Sequence, residues 1–270
     1  VSLAIAVQPY VEPITLTEMK LHLKQDDITT DDDLITSLIV AARDVVETRT
    51  GANVCRQKVM LDTTFTLKRT WFPCQDYIAV PRVPLVSVSS ITYVDSSGSI
   101  QTWSSSNYTV DTLLGRITLN YAGTWPTVRG DANGITITFI SGMAASFTAS
   151  TSDEVITAKG RTLVVSDKYR VMNSGGALPT GLSVLTDYFV IAGPKLSLTS
   201  GGSAVDISTA GTGTQYLGFD LTGFETLRHA IKLLVGYWYQ NRQAGAVIPG
   251  AGALILPMGV DALIASQHAG

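Results

Sequence analysis

The chain has 270 residues, 45% of them hydrophobic and only 15% charged, with a formal net charge of −3. That length holds one large domain or two modest ones. The missing charge is made up by Ser, Thr and Gly, a surface that suits packing against neighbours and equally suits ordinary β-rich domains. Specific nucleic-acid binding is not expected, because no basic run exists beyond Lys68-Arg69 and phosphate neutralisation drives such affinity. No stretch of about twenty apolar residues offers a membrane span. Cys55 and Cys74 form no metal motif; they read as two reduced thiols, with a disulfide as the alternative that spacing does not decide. Val1 to Val11 is mildly apolar but lacks a basic leader and a long apolar stretch, so it is not read as a signal peptide.

The first helix is expected at 16–25. Thr15-Leu16-Thr17-Glu18 reads as a capping box, with Ile14 and Met19 as its hydrophobic staple. A second helix is expected at 32–50, starting in Asp31-Asp32-Asp33, where carboxylates favour the positive end of the helix dipole. Its apolar residues form two adjacent rows, Leu34, Leu38, Ala41, Val45 and Ile35, Ile39, Ala42, Val46. Gly51 is a natural stop. The acidic run lacks the Gly and distal Glu of a calcium loop.

From 54 to 142 the period changes to two. Val59 and Leu61, Tyr77 to Val80, Val86 to Val94, Ile100 to Trp103, Tyr108 to Val110, Arg116 to Leu119 and Ile135 to Ile140 read as strands, with Asp95-Ser96-Ser97-Gly98 as a hairpin turn. Together they suggest a small antiparallel sandwich or barrel. Residues 147–217 are rich in Gly, Ser and Thr, with short β-runs at 154–156, 162–165, 188–191, 195–198 and 204–207. They read as a separate inserted β-module, since a structureless loop of that length is improbable.

Helix returns over 223–242, opened by a second capping box at Thr222-Gly223-Phe224-Glu225, with Leu227, Ile231, Leu234 and Trp238 in one apolar row. Trp238 is therefore expected in the core. A Gly/Ala/Pro loop follows. The stretch from Val247 to Ile264 reads either as an apolar interface arm or as a lid on the host core; its candidate contact residues are Val247, Ile248, Leu254, Ile255, Leu256, Met258, Val260, Leu263 and Ile264. Arg43, Arg49, Arg228 and Arg242 are candidates for bridges between subunits, or solvated charges. The expected fold class is α+β: a helical scaffold from both chain ends, an antiparallel β-sandwich excursion and an inserted small β-rich domain. The expected division is a host domain of 1–146 and 218–270, and the module at 147–217.

No Walker loop, GxSxG, HExxH or dinucleotide fingerprint occurs, and His22, His229 and His268 show no ligand spacing. An enzyme is not expected, and no cofactor or metal. Several segments do resemble one family. Pro13 to Leu23, Asp32 to Arg43 with Val46 to Gly51, Pro81 to Val88, Ile91 to Asp95, Tyr108 to Asp111, Gly115 to Ile117, Leu233 to Arg242 and Leu256 to Ile264 are similar, in that order, to phage head–tail adaptor (connector, head-completion) proteins. Gly175 to Ser183 with Thr186 to Ile191 resembles a β-module of phage structural proteins; shorter adaptors lack it. The resemblance implies a ring, usually of twelve subunits, in the neck of a virion. It implies docking beneath the portal by the C-terminal segment, a stopper or tail-completion protein as the next partner, and DNA passing without specific binding. A tail or receptor-binding protein that uses the β-module for carbohydrate or receptor recognition is the alternative.

Overall fold

The computed structural model describes residues 1–7, 9, 11–50, 57–112, 114–218, 221–241 and 258–266, with only the backbone of Thr222 and Met258. Among the described residues it is an α+β chain with four α-helices and mostly antiparallel sheets. Its contacts divide it into two compact units, Val1–Pro9 with Cys55–Met143, and Tyr10–Val54 with Ala144–Gly270.

The first unit is all β. Its strands are β1 (Ser2–Val7), β2 (Gln57–Lys58), β3 (Thr63–Arg69), β4 (Tyr77–Ala79), β5 (Arg82–Val83), β6 (Leu85–Val94), β7 (Ile100–Thr102), β8 (Tyr108–Asp111), β9 (Arg116–Leu119) and β10 (Ile135–Ser141). A five-stranded sheet runs β1-β3-β10-β6-β7, a three-stranded sheet β4-β9-β8, and β2 pairs with β5 in parallel. The alternation of Ile135, Ile137 and Phe139 with Thr136 and Thr138 turns one side of β10 fully inward. Those residues share one core with Phe65, Leu67 and Ile91 of the same sheet and with Ile78, Tyr108 and Ile117 of the smaller one. The hairpin expected at Asp95–Gly98 is present. The Asp95 carboxylate accepts hydrogen bonds from Ser97, Ser99 and Gln101, which hold it well below the usual carboxylate range.

The second unit holds α1 (Leu16–Leu23), α2 (Asp32–Thr50), six strands, β11 (Ala144–Ala149), β12 (Ile156–Ala158), β13 (Lys168–Ser174), β14 (Tyr188–Ile191), β15 (Lys195–Ser197) and β16 (Thr214–Gly218), then α3 (Leu221–Gln240) and α4 (Met258–Ala265). The sheet order is β12-β11-β16-β13-β14-β15. The sheet curls until the Ile156 N–H donates to the Pro194 carbonyl at 2.9 Å, beside the β14–β15 turn. Inside lie Phe147, Tyr169, Val171, Tyr188, Val190 and Leu217.

This grouping differs from the one expected from the sequence. The boundaries 147 and 217 fall inside β11 and β16. The strands of 144–218 belong to one compact unit with the helices, whereas the strands of 57–141 gather around their own core and recruit residues 2–7. Local texture separated the Gly-rich stretch from the helices; buried side chains on β13 and β16 join them.

Candidate assembly surfaces

Arg228 is the hub of the second unit. It lies on α3 between the buried residues Leu227 and Ile231 and is only 3% exposed, so its guanidinium must be satisfied inside the protein. Its Nε donates to the Pro13 carbonyl at 2.7 Å. Its Nη2 donates to Glu18 Oε2 at 2.5 Å and to Ser174 Oγ at 2.9 Å. Its Nη1 reaches Glu225, one turn back. Lys232 closes on the other oxygen of Glu18 at 2.5 Å. One fork therefore ties together the lead-in to α1, α1 itself, α3 and the end of β13.

Glu18 plays a different part from the one expected. Thr15 does cap α1, its Oγ1 accepting from the Glu18 N–H at 3.2 Å. The Glu18 carboxylate, however, is held by Ser174, Arg228 and Lys232. Two cations outcompete a single backbone N–H for the carboxylate. Burial pushes Glu18 up, but the bonds from Lys232 and Ser174 and the charges of Arg228 and Lys232 more than offset it, leaving the group below its ordinary value. Nearby, Tyr216 is fully buried against Phe224, with ring centroids 5.4 Å apart, and donates to the Glu12 carbonyl at 2.7 Å. Gly175, at φ +75°, sits where a Cβ would lie 2.9 Å from Thr15 Oγ1, so only glycine lets the β13 end approach the α1 cap.

The bridging arginines are thus largely engaged within the chain. Arg228 is buried, which removes it as a bridge to a neighbour. Arg43 is held by Glu12 at 2.7 Å and by Glu47 one turn on. Arg49 is the exposed one, 3.6 Å from Asp261 of α4. Arg242 lies outside the described residues, as do Val247, Ile248, Leu254, Ile255 and Leu256. Of the rest of the expected arm, Val260 and Ile264 are 0% and 3% exposed and Leu263 is half-buried. That part of α4 packs against α3 and closes the helical core instead of presenting an arm.

Helix α2 behaves otherwise. Of its two apolar rows, Ile35, Ile39, Ala42 and Val46 are at most 2% exposed. In the adjacent row Leu34 is 36% exposed, Ala41 is exposed, and Leu38 and Val45 are half-buried. Val40 and, on α1, Leu21 are also exposed. Among the described residues, packing thus buries one of the two apolar rows of α2 and leaves the other partly exposed. On α3 the buried side is Phe224, Leu227, Ile231, Leu234 and Val235; Trp238 is half-buried rather than central, and the Tyr239 hydroxyl donates to Asp31 at 2.6 Å.

Among the described residues, no group of three His, Cys, Asp or Glu is placed to hold a metal ion, and no helix is long and apolar enough to cross a membrane. Cys74 is free and exposed; Cys55 lies outside the described residues. A shallow depression beside β12 and β14 is lined mainly by apolar side chains and by Arg161, which lies over the Tyr169 ring.

No protein-family model matches the chain, and no curated protein matches its sequence. Solved structures do match its fold. A chain of the virion of the native gene transfer agent (GTA) particle is 16% identical, with a TM-score of 0.56, over 99% of this chain and 95% of that one. A chain of the neck of the empty GTA particle, computed with C6 symmetry, is 18% identical with a TM-score of 0.55 over 99% and 95%. A chain of the neck of the native GTA particle, computed with C12 symmetry, is 17% identical with a TM-score of 0.53 over 99% and 94%. At these identities the likeness is one of fold, and it runs through both units of the chain.

Proposed function

We propose that this chain is a structural subunit of the head–tail adaptor ring in the neck of a phage-like virion, docking beneath the portal and continuing the DNA channel toward a stopper or tail-completion protein. The observation that carries this reading is the fold likeness to chains of GTA virion and neck structures, which spans 99% of this chain and nearly all of theirs. A match of that extent leaves little of the chain for an unrelated task. The ordered segments of adaptor resemblance point the same way. So does the half-covered apolar face of α2, a surface suited to burial between subunits of a ring. The role is mechanical: many modest contacts, multiplied around a closed ring, with no catalytic step and no cofactor. Twelve subunits is the stoichiometry we favour, and residues 147–217 are the module that shorter adaptors lack.

Cryo-electron microscopy of the neck of the intact particle tests the reading. The expected density is a ring of this chain directly below the portal. Its appearance at the tail tip, or its absence from the particle, would end the proposal.

A further inference from the structure

We propose that β1 is an interface strand, whose free edge pairs with the β7 edge of a second copy of this chain so that the five-stranded sheets join rim to rim. The inference rests on the ring reading and adds to it a specific contact.

The sheet order β1-β3-β10-β6-β7 leaves two open rims, one at each side of the same sheet. Natural sheets guard such rims with charge, proline, shortness or a cover, because a bare rim templates further pairing. β1 has six residues, Ser-Leu-Ala-Ile-Ala-Val, with neither charge nor proline. Its one irregularity is the register shift between Ile5 and Val7.

The side chains agree with the backbone. Ile5 stands opposite Phe65, on the face that carries the core, yet it is 49% exposed while Phe65 is 3% exposed. The apolar face therefore runs on past the last strand of its own chain. Leu3, the other β1 residue on this face, packs against the core only in part. At the opposite rim, β7 is exposed along its whole length, and Ile100 stands 76% exposed. It too lacks charge and proline, although it has only three residues and Gln101 is tied to the neighbouring Asp95 carboxylate.

The occupant follows from this pairing of rims. Two unlike, open rims on one sheet fit a head-to-tail contact, in which each copy offers β1 to one neighbour and β7 to the other; such contacts close into rings when the rotation closes. A β1–β1 contact would instead stop at two copies and leave β7 bare.

The test uses particles whose chain carries Cys55→Ser and Cys74→Ser together with Ile5→Cys and Ile100→Cys, treated with a short bismaleimide and separated under denaturing conditions. A ladder of covalent multimers from the double variant, and none from either single variant, is the expected result. Dimers from Ile5→Cys alone, or a monomer band from the double variant within assembled necks, would overturn the pairing. Amide exchange on unmodified particles gives a second measurement that needs no substitution. Residues 2–7 and 100–102 should exchange at least about tenfold more slowly in the neck than in the isolated chain. Unchanged exchange there, in a chain that does form the neck ring, sinks the strand pairing and spares the ring; a chain missing from the neck sinks both.

Discussion

Replacing Arg228 by Ala should strongly destabilise the helical unit. The guanidinium is 3% exposed and donates to Pro13, Glu18, Ser174 and Glu225. Glu225 is half-exposed and rehydrates at little cost. The Pro13 carbonyl and the Glu18 carboxylate cannot do so as readily, since the Glu18 side chain is only 16% exposed. Breaking one side of a buried ion pair typically costs about 3–5 kcal/mol. Lys232 still holds the second oxygen of Glu18, which puts the expectation at the low end, about 3 kcal/mol. For a body of this size that corresponds to a fall in Tm of about 6–12 °C. Scanning calorimetry and urea unfolding of the purified chain read it. Arg228→Lys keeps the charge but not the fork, and should recover less than half of the loss. Arg228→Met combined with Glu18→Gln should cost less than Arg228→Met alone, because no half-buried carboxylate remains with one of its two cations missing. A loss below about 1 kcal/mol for Arg228→Ala, the size of an ordinary surface pair, would refute the hub.

Three further outcomes are expected. Glu18 has a folded pKa below its ordinary 4.5, so its contribution is present above that pH and fades as pH falls through the lower folded value; Glu18→Gln should flatten the acid limb of a stability–pH curve, and an unchanged limb would count against the network. Gly175→Val meets Thr15 and a positive φ at once, and should cost about 1–3 kcal/mol in urea unfolding, whereas the same change at Gly201, which has open space around it, carries only the φ penalty. Ala41→Glu, on the exposed row of α2, should leave the unfolding midpoint of the isolated chain within about 0.5 kcal/mol of wild type and yet reduce assembly into particles at least tenfold, measured as chain per purified particle.

Much of the helical architecture was legible because period and caps are local signals. Asp32–Thr50 matches the expected second helix, and the first and third end within two residues of expectation. The clean alternation of Ile135 to Ile140 gave β10. Among the strands that escaped notice, three did so for a clear physical reason. β13 interleaves its buried residues with Lys168, Arg170 and Asn173, and β16 is five residues beside glycines; each has too few apolar residues for a periodic signal. β1 looked only mildly apolar, and as an edge strand it buries little, with Leu3 alone half-buried. Conversely, Thr162 to Val165 and Ala204 to Ile207 read as strands but make no ladder, and Val164 and Val165 are exposed. The ionic hub was out of reach altogether. Glu18, Ser174 and Arg228 are 156 and 54 residues apart in turn, and Glu18 had a satisfactory local explanation as half of a capping box.

That hub bears on how the two readings of the β-module can be told apart. If the module were a detachable receptor-binding decoration, excising 147–217 would leave the helices intact and remove only recognition. The excised stretch, however, contains Ser174, which meets Glu18 and Arg228, and Tyr216, whose hydroxyl meets the Glu12 carbonyl. It also contains Met172, which touches Arg228. Removing it strips the buried face of α3 at Phe224 of its aromatic partner and leaves a guanidinium short of an acceptor in the interior, a cost of several kcal/mol on the scale of total domain stability. The deletion should therefore yield a chain with reduced helicity by circular dichroism, failing in assembly for want of folding. The informative change is at the far rim of the curled sheet, where Val164, Val165 and Leu198 are exposed and take no part in the hub. Val165→Asp with Leu198→Asp should keep helicity and Tm near wild type. If those particles then assemble but lose host attachment, the receptor reading gains its footing; if they fail at head–tail joining, the module is part of the joint itself.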